Sequence, residues 1–167
     1  PAIYEADEYV LVPRITEPGY LDKILEICRE KQITGVLSLI DPELSLLADN
    51  KERFLEVGTV PIVPDAKQVD ICFHKYAMYE ACKALGFAAG RCFLDRKEFY
   101  RAVEKGELTY PVFVKPESGS ASLDIHQAQD QETVEFLCSR EDGLMIQEFM
   151  NGQEYGADVY IDMLSGE

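Results

Sequence analysis

Tyr110-Pro-Val-Phe-Val-Lys-Pro-Glu-Ser-Gly-Ser-Ala-Ser122 is the stretch from which the fold is read. Val112, Phe113 and Val114 have the β-branched and aromatic character of a short buried strand. Lys115 stands at its end, followed by Pro116 and a small-residue loop, Ser118-Gly-Ser-Ala-Ser122. A lysine on a strand end beside such a loop is a way to build a polyphosphate site. The strand fixes the ammonium, backbone N–H groups of the loop turn towards an anion, and the hydroxyls add donors. The same residues also suit an ordinary hairpin turn with a solvated lysine.

A second segment, Leu144-Met-Ile-Gln-Glu-Phe-Met-Asn-Gly-Gln-Glu-Tyr155, bears on that choice. Leu144 to Ile146 reads as a buried strand, Asn151-Gly152 as a turn, and Tyr155 to Met163 as the returning strand next to Glu154. A strand that breaks at Gln147-Glu148-Phe149-Met150 leaves backbone donors and acceptors beside apolar side chains. Such an edge can pair with the polar rim of a purine while Phe149 or Met150 covers its faces. Glu154 can accept from ribose hydroxyls, as carboxylates do in other nucleotide sites. Taken alone, the segment reads best as a hairpin carrying an exposed acid.

The rest of the chain alternates strand and helix. Leu21, Ile24, Leu25 and Cys28 form one stripe of a helix over Tyr20 to Lys31. Gly35 leads into an expected strand Val36 to Ile40, and Asp41-Pro42 opens a helix expected to run to Glu56. Val60 to Val63 gives another strand, and this order argues for a parallel α/β unit. Asp41 and Glu43, at a strand end before a helix, could touch a small substrate, but read best as cap and first-turn charges. Pro61 and Pro64 flank the crossing into a second unit. There the pattern gives helices Lys75 to Leu85, closed by Gly86, and Asp95 to Glu104. After them come the Val112 strand, a Leu123 to Ile125 strand, the Asp130 to Cys138 helix and the Leu144 strand. His126 reads as a strand-end surface residue.

Composition sets bounds. At 167 residues the chain can hold a sizeable core, with 47% hydrophobic and 28% charged residues. No apolar run reaches the roughly 18 residues of a spanning helix, and no basic-then-apolar leader opens the chain. Cys28, Cys72, Cys82, Cys92 and Cys138 form no CxxC pair, so they read as buried free thiols in a reducing cytoplasm rather than as a zinc site or a disulfide framework. The net charge of −15 is unsuited to a nucleic-acid surface.

Together the two segments resemble the ATP-grasp superfamily. The Lys115 strand and loop look like the phosphate lid, and Gln147 to Glu154 like the adenine and ribose hinge. Asp41-Pro-Glu-Leu-Ser-Leu-Leu-Ala48, then Gly58 to Val63, then Val69-Asp-Ile-Cys-Phe-His-Lys-Tyr76, resemble the first domain and linker of carbamoyl-phosphate-synthase large-chain-like proteins. The resemblance implies an α/β architecture. Residues 1–70 would be a partial Rossmann-like pre-ATP-grasp domain, and residues 71–167 the first lobe of an α+β ATP-grasp domain, with lid and hinge. It implies ATP as ligand at Lys75, Lys115, Ser118, Gly119, Ser120, Ser122, Gln147, Glu148, Phe149, Met150 and Glu154. Lys75 holds the place where the family carries a phosphate-contacting base at a helix start. His74 stands where an aspartate commonly precedes that base, which leaves the start of this helix open.

The implied reaction is ATP-dependent activation of a carboxylate or bicarbonate as an acyl phosphate, captured by an amine or ammonia. With 31 acidic against 16 basic residues, a polyanion site here depends on Lys75, Lys115 and Mg2+. The chain opens at Pro1 without an initiating Met or opening strand and stops at Glu167, so it is expected to be a partial chain. The Mg2+ ligands are expected in a lobe outside it, and the fragment alone is expected to turn over nothing. Expected partners are ATP and small carboxylate and amine substrates, with no nucleic acid and no membrane. A homodimer is the default assembly. A non-catalytic nucleotide- or metabolite-sensing module is the alternative, because a fold does not fix a function. An acidic protein-interaction domain is a third reading.

Overall fold

The computed structural model describes residues 4–119, 124–157 and 159. Its elements run α1 (Tyr20–Glu30), β1 (Gly35–Val36), α2 (Asp41–Asp49), α3 (Lys51–Glu56), β2 (Val60–Pro61), α4 (Ala66–Phe73) and α5 (Lys75–Ala84). They continue with β3 (Cys92–Phe93), α6 (Arg96–Glu104), β4 (Val112–Pro116), β5 (His126–Ala128), α7 (Gln131–Arg140) and β6 (Leu144–Glu148).

β1 and β2 form the parallel pair that the strand and helix order predicts, with Gly35 opposite Val60 and Val36 opposite Pro61. Helices α1 to α4 gather around it. Leu25, Cys28, Leu47, Ala48, Phe54, Val63 and Val69 are buried in one cluster, with Leu21 and Ile24 packed at its margin. The expected strand Val36 to Ile40 stops at Val36, and Leu37, Leu39 and Ile40 are exposed. The cause is local. Val60 and Ile62 donate to β1, and the next position that would face it is Pro64, which has no N–H to offer. The Ser38 hydroxyl meanwhile bonds the Ile40 backbone and shapes a turn. The helix expected to reach Glu56 is two helices, broken where the Asn50 side chain donates to the Leu46 carbonyl at 2.9 Å.

The second sheet is antiparallel in the order β3-β6-β4-β5. Strand alternation splits it into two faces. Val112 and Val114 of β4, Ile146 of β6, Ala128 of β5 and Phe93 of β3 turn to one side. There they meet Phe99 and Ala102 of α6, Val134 of α7, and Leu108. Phe99 is fully buried, with the rings of Phe93, Tyr100 and Tyr110 at 5.8, 5.1 and 6.0 Å. Each fully buried valine or phenylalanine here contributes about 1.5–3 kcal/mol through removal from water. Asp95 and Asp130 cap α6 and α7 as their positions predict, accepting from Lys97 N and Thr133 N, each at 2.8 Å. Gly86, at φ +79°, closes α5 by donating to the Lys83 carbonyl.

Two sequence expectations move. β5 begins at His126 rather than within Leu123 to Ile125, because Asp124 adopts φ +54° and forms a turn there; Leu123 lies outside the described residues. The cysteines are all free, but they are not uniformly buried. Cys28 and Cys92 are buried, Cys82 and Cys138 half-buried, and Cys72 is exposed where α4 borders a cavity. No helix among the described residues is long and apolar enough to cross a membrane.

Candidate nucleotide-binding site

The second face of the sheet carries the polar chemistry. Phe113 and Lys115 of β4 alternate with the buried valines, and the register puts Gln147 of β6 opposite both Phe113 and Cys92. The Lys115 ammonium donates to Gln147 Oε1 at 2.6 Å. Partial burial pulls the Lys115 pKa below its ordinary value. The positive charge of Lys75 adds to that shift, and the Cys92 thiol opposes it. Burial pushes the Cys92 thiol up to about 11, against weaker opposing effects of Lys115 and Gln147. Cys92 is therefore a neutral wall of the site. Lys115 is a cation held by a neutral acceptor and short of compensating charge.

Lys75 opens α5 as expected, and the structure resolves the helix start that His74 left open. The His74 side chain does not cap the helix. The cap comes from Glu117, which lies 43 positions from His74 in sequence and follows β4 directly. Its carbonyl accepts from Lys75 N at 2.9 Å, and Oε1 of its carboxylate accepts from Tyr76 N at 3.3 Å. The other carboxylate oxygen is 2.8 Å from His74 Nδ1. The Lys75 ammonium in turn donates to the Gly119 carbonyl at 2.9 Å, reaching over the loop after β4. Gly119 sits at φ +104°, a conformation that favours glycine. Ser118 and Gly119 are exposed; Ser120 and Ser122 lie outside the described residues.

Beyond β6, residues Phe149 to Glu154 and Phe113 line a cleft of about 580 Å³ together with Gln147 and Glu148. The Phe149 ring leans on Phe113 at 5.4 Å between centroids, and Met150 is exposed at the rim. The strand break falls later than expected. β6 runs through Glu148, so Gln147 and Glu148 are paired with β4 and β3 rather than forming a free edge. Glu148 N donates to the Arg91 carbonyl at 2.8 Å, and its carboxylate accepts from Arg91 N at 3.0 Å. Glu148 thus holds the entry to β3, and among the described residues the ladder ends there, ahead of Phe149. Glu154 lines the cleft as an exposed acid, but the residues after it that are described, 155–157 and 159, are not strand; the remainder of the expected strand Tyr155 to Met163 is outside the described residues.

A smaller cavity of about 200 Å³ lies on the other side of the glycine loop. Asp41, Leu44, Pro64, Gln68, Val69, Cys72, Phe73 and Gly119 line it. It is mainly apolar, with Asp41 and Gln68 as its polar groups. Glu43 does not share it: hydroxyls of Tyr20 and Ser38 donate to its carboxylate and tie α1 to α2, while burial pushes its pKa up. Among the described residues no three His, Cys, Asp or Glu side chains gather as a metal site.

The residues that sequence reading passes over are Glu117, Cys92 and Phe113. Glu117 has a signal, since the acid missing at position 74 reappears directly after Lys115-Pro116. Cys92 and Phe113 have none, because only the strand register brings them to Gln147.

Comparison with known proteins bears on the fold. Residues 1–63 match the model of the PylC-like N-terminal domain. A D-alanine–D-alanine ligase of Ruminiclostridium cellulolyticum is 31% identical over 70 residues, covering 36% of this chain and 19% of that ligase. Carboxyaminoimidazole ribonucleotide synthase of Aspergillus clavatus, solved with ATP, superposes on 89% of this chain and 38% of its own at TM-score 0.64 and 12% identity. The biotin carboxylase domain of Hydrogenobacter thermophilus 2-oxoglutarate carboxylase, solved as a dimer with MgADP, ADP and bicarbonate, covers 87% of this chain and 35% of its own at TM-score 0.60 and 20% identity. The chain spans well under half the length of each of these proteins. From these shared architectures, the chain has a mixed α/β fold like that of these two solved structures.

Proposed function

We propose that this chain is the ATP-binding portion of an ATP-grasp ligase, carbamoyl-phosphate-synthase-like in its chemistry. The whole protein would activate a carboxylate or bicarbonate as an acyl phosphate for capture by an amine or ammonia. The observation that carries the reading is the state of Lys75 and Lys115. Both are half-buried, and in a protein of net charge −15 neither is ion-paired with a carboxylate among the described residues. Each ammonium instead rests on a neutral oxygen, Gly119 O or Gln147 Oε1, beside a glycine loop. Two such cations suit a polyphosphate.

In this reading residues 1–70 form the pre-ATP-grasp unit and residues 71–167 the first lobe with lid and hinge. Lys75 and Lys115 take the phosphate oxygens, and the loop containing Ser118, Gly119, Ser120 and Ser122 closes over them and excludes water. Phe149 and Met150 flank the adenine in the cleft, beyond the end of the ladder at Glu148. Glu154 at the rim accepts from the ribose hydroxyls. Gln147 holds Lys115 until the phosphates compete for it, and Glu148 acts through its grip on Arg91. The small carboxylate and amine substrates would meet the phosphate end near the cavity walled by Gly119 and Asp41. Mg2+ supplies charge neutralisation at the β- and γ-phosphates when bound. Its protein ligands are expected outside this chain. A cytoplasmic homodimer is the setting we favour.

The test is ATP hydrolysis by the whole protein against a panel of carboxylates and bicarbonate, each with and without an amine. Turnover that requires a carboxylate supports the ligase reading. Nucleotide binding with no carboxylate-dependent turnover assigns the chain to a sensing module instead.

A further inference from the structure

We propose that Glu117 is a positioning residue of the nucleotide site: with His74 it forms a clasp that locks the first turn of α5 to the root of the glycine loop and holds Lys75 in register. This inference rests on the nucleotide reading above.

The clasp is a closed set of contacts. Glu117 takes the first two backbone donors of α5, Lys75 N on its carbonyl and Tyr76 N on its carboxylate, which a helix must satisfy from outside its own ladder. Its remaining carboxylate oxygen holds His74 Nδ1 at 2.8 Å. Its own N–H donates to the Gly143 carbonyl at 2.9 Å, so the clasp is anchored to the lead-in of β6. A backbone bridge joins His74 to Ser118. The Phe73 ring meets the imidazole edge-on at 5.4 Å and 88°, limiting its rotation. Two residues past Glu117, Gly119 receives the Lys75 ammonium. One acid therefore fixes both ends of the segment that Lys75 spans.

His74 makes the clasp sensitive to pH. The charged groups facing it are Glu117 after β4, Asp70 on α4 at 3.7 Å, and Lys75 on α5. The hydrogen bond to Glu117 is the main cause that raises the His74 pKa above its ordinary 6.5. Burial and Lys75 oppose the rise, and the charges of Glu117 and Asp70 add to it. The sign follows. The charge-assisted clasp is complete below pH 6.5 and weakens as pH rises through the raised His74 midpoint. A neutral imidazole protonated at Nδ1 still donates to Glu117, so the clasp loosens rather than opens.

The experiment compares wild type, Glu117→Gln and His74→Asn, using the whole protein for MgATP affinity across neutral pH. Imidazole titration and amide exchange by NMR supply readouts independent of nucleotide. Glu117→Gln should lower the His74 midpoint and speed amide exchange at Tyr76, whose acceptor is the carboxylate, by on the order of tenfold. It should also weaken MgATP binding and flatten its pH dependence. His74→Asn, which removes the titrating ring from the clasp, should lose the pH dependence and bind MgATP no more tightly than wild type does above the raised His74 midpoint. Unchanged midpoint and exchange rates in Glu117→Gln overturn the clasp. Changed rates with unaltered MgATP affinity overturn the positioning role. If wild type binds no nucleotide, the ATP reading falls and the positioning role with it, while titration and exchange still decide whether the clasp exists.

Discussion

Replacing Lys115 with Met separates the cost of a buried charge from its use. Lys115→Met keeps most of the stem volume and removes only the ammonium. In the protein without ligand, the change forfeits the 2.6 Å hydrogen bond to Gln147, worth about 0.5–1.5 kcal/mol. It also relieves the desolvation that pulls the Lys115 pKa down, and because water still reaches the group, screening keeps that relief below about 1 kcal/mol. The two largely offset each other, so the thermal midpoint should move by no more than about 6 °C in either direction. Nucleotide binding behaves differently. A lost charge-assisted bond to phosphate costs about 1.5–3 kcal/mol, which weakens affinity by roughly ten- to 150-fold. Calorimetric titration with MgATP and thermal melts on the same samples read both quantities. A variant that binds MgATP as wild type does, or one that simply melts far lower, refutes the assignment of Lys115 as a ligand cation kept at little structural gain.

Three further outcomes follow from the packing. Phe99→Ala removes a fully buried ring with three aromatic neighbours and should cost about 3–5 kcal/mol in chemical denaturation. Gly90→Ala places a methyl 3.1 Å from the flexible Met150 side chain, so melts should change little while MgATP affinity falls as the cleft rim shifts. In timed alkylation read by mass spectrometry, exposed Cys72 should react well before Cys92, which is buried and pushed up to about 11; equal rates would contradict the placement of β3.

Two strands of the antiparallel sheet, β4 and β6, were legible because their signals are local, whereas β3 was not read and β5 was placed too early. Val112 to Val114 and Leu144 to Ile146 declare themselves by side-chain type, and Asp95, Asp130 and Gly86 mark helix ends by chemistry that acts within a few residues. What was missed depends on partners far along the chain or on local competition. β1 ends where β2 has no more donors, the helix after Asp41 breaks at an Asn50 side-chain bond, and β6 continues through Glu148 because Arg91, just before β3, meets it. Of the candidate site, Lys115 and the glycine loop stand out by residue type, while Lys75 is singled out by the family resemblance. Glu117 could not be given its place, since its partners are His74 and the opening of α5, more than 40 positions upstream.

On β4, residues that build the core and residues that face the site alternate one by one: Val112 and Val114 inward, Phe113 and Lys115 outward. Core and site on this strand are therefore inherited separately. Under the proposed function, substitutions at Phe113 or Gln147 would retune what is bound without disturbing the packing behind them, so this face could diversify while the apolar face stays constant. The opposite holds for a shift of the backbone. An insertion or deletion of one residue within β4 would turn Lys115 into the core and a valine towards the ligand, losing fold and site in a single event. Tolerance to substitution and intolerance to length change should thus coincide on the same five residues of β4.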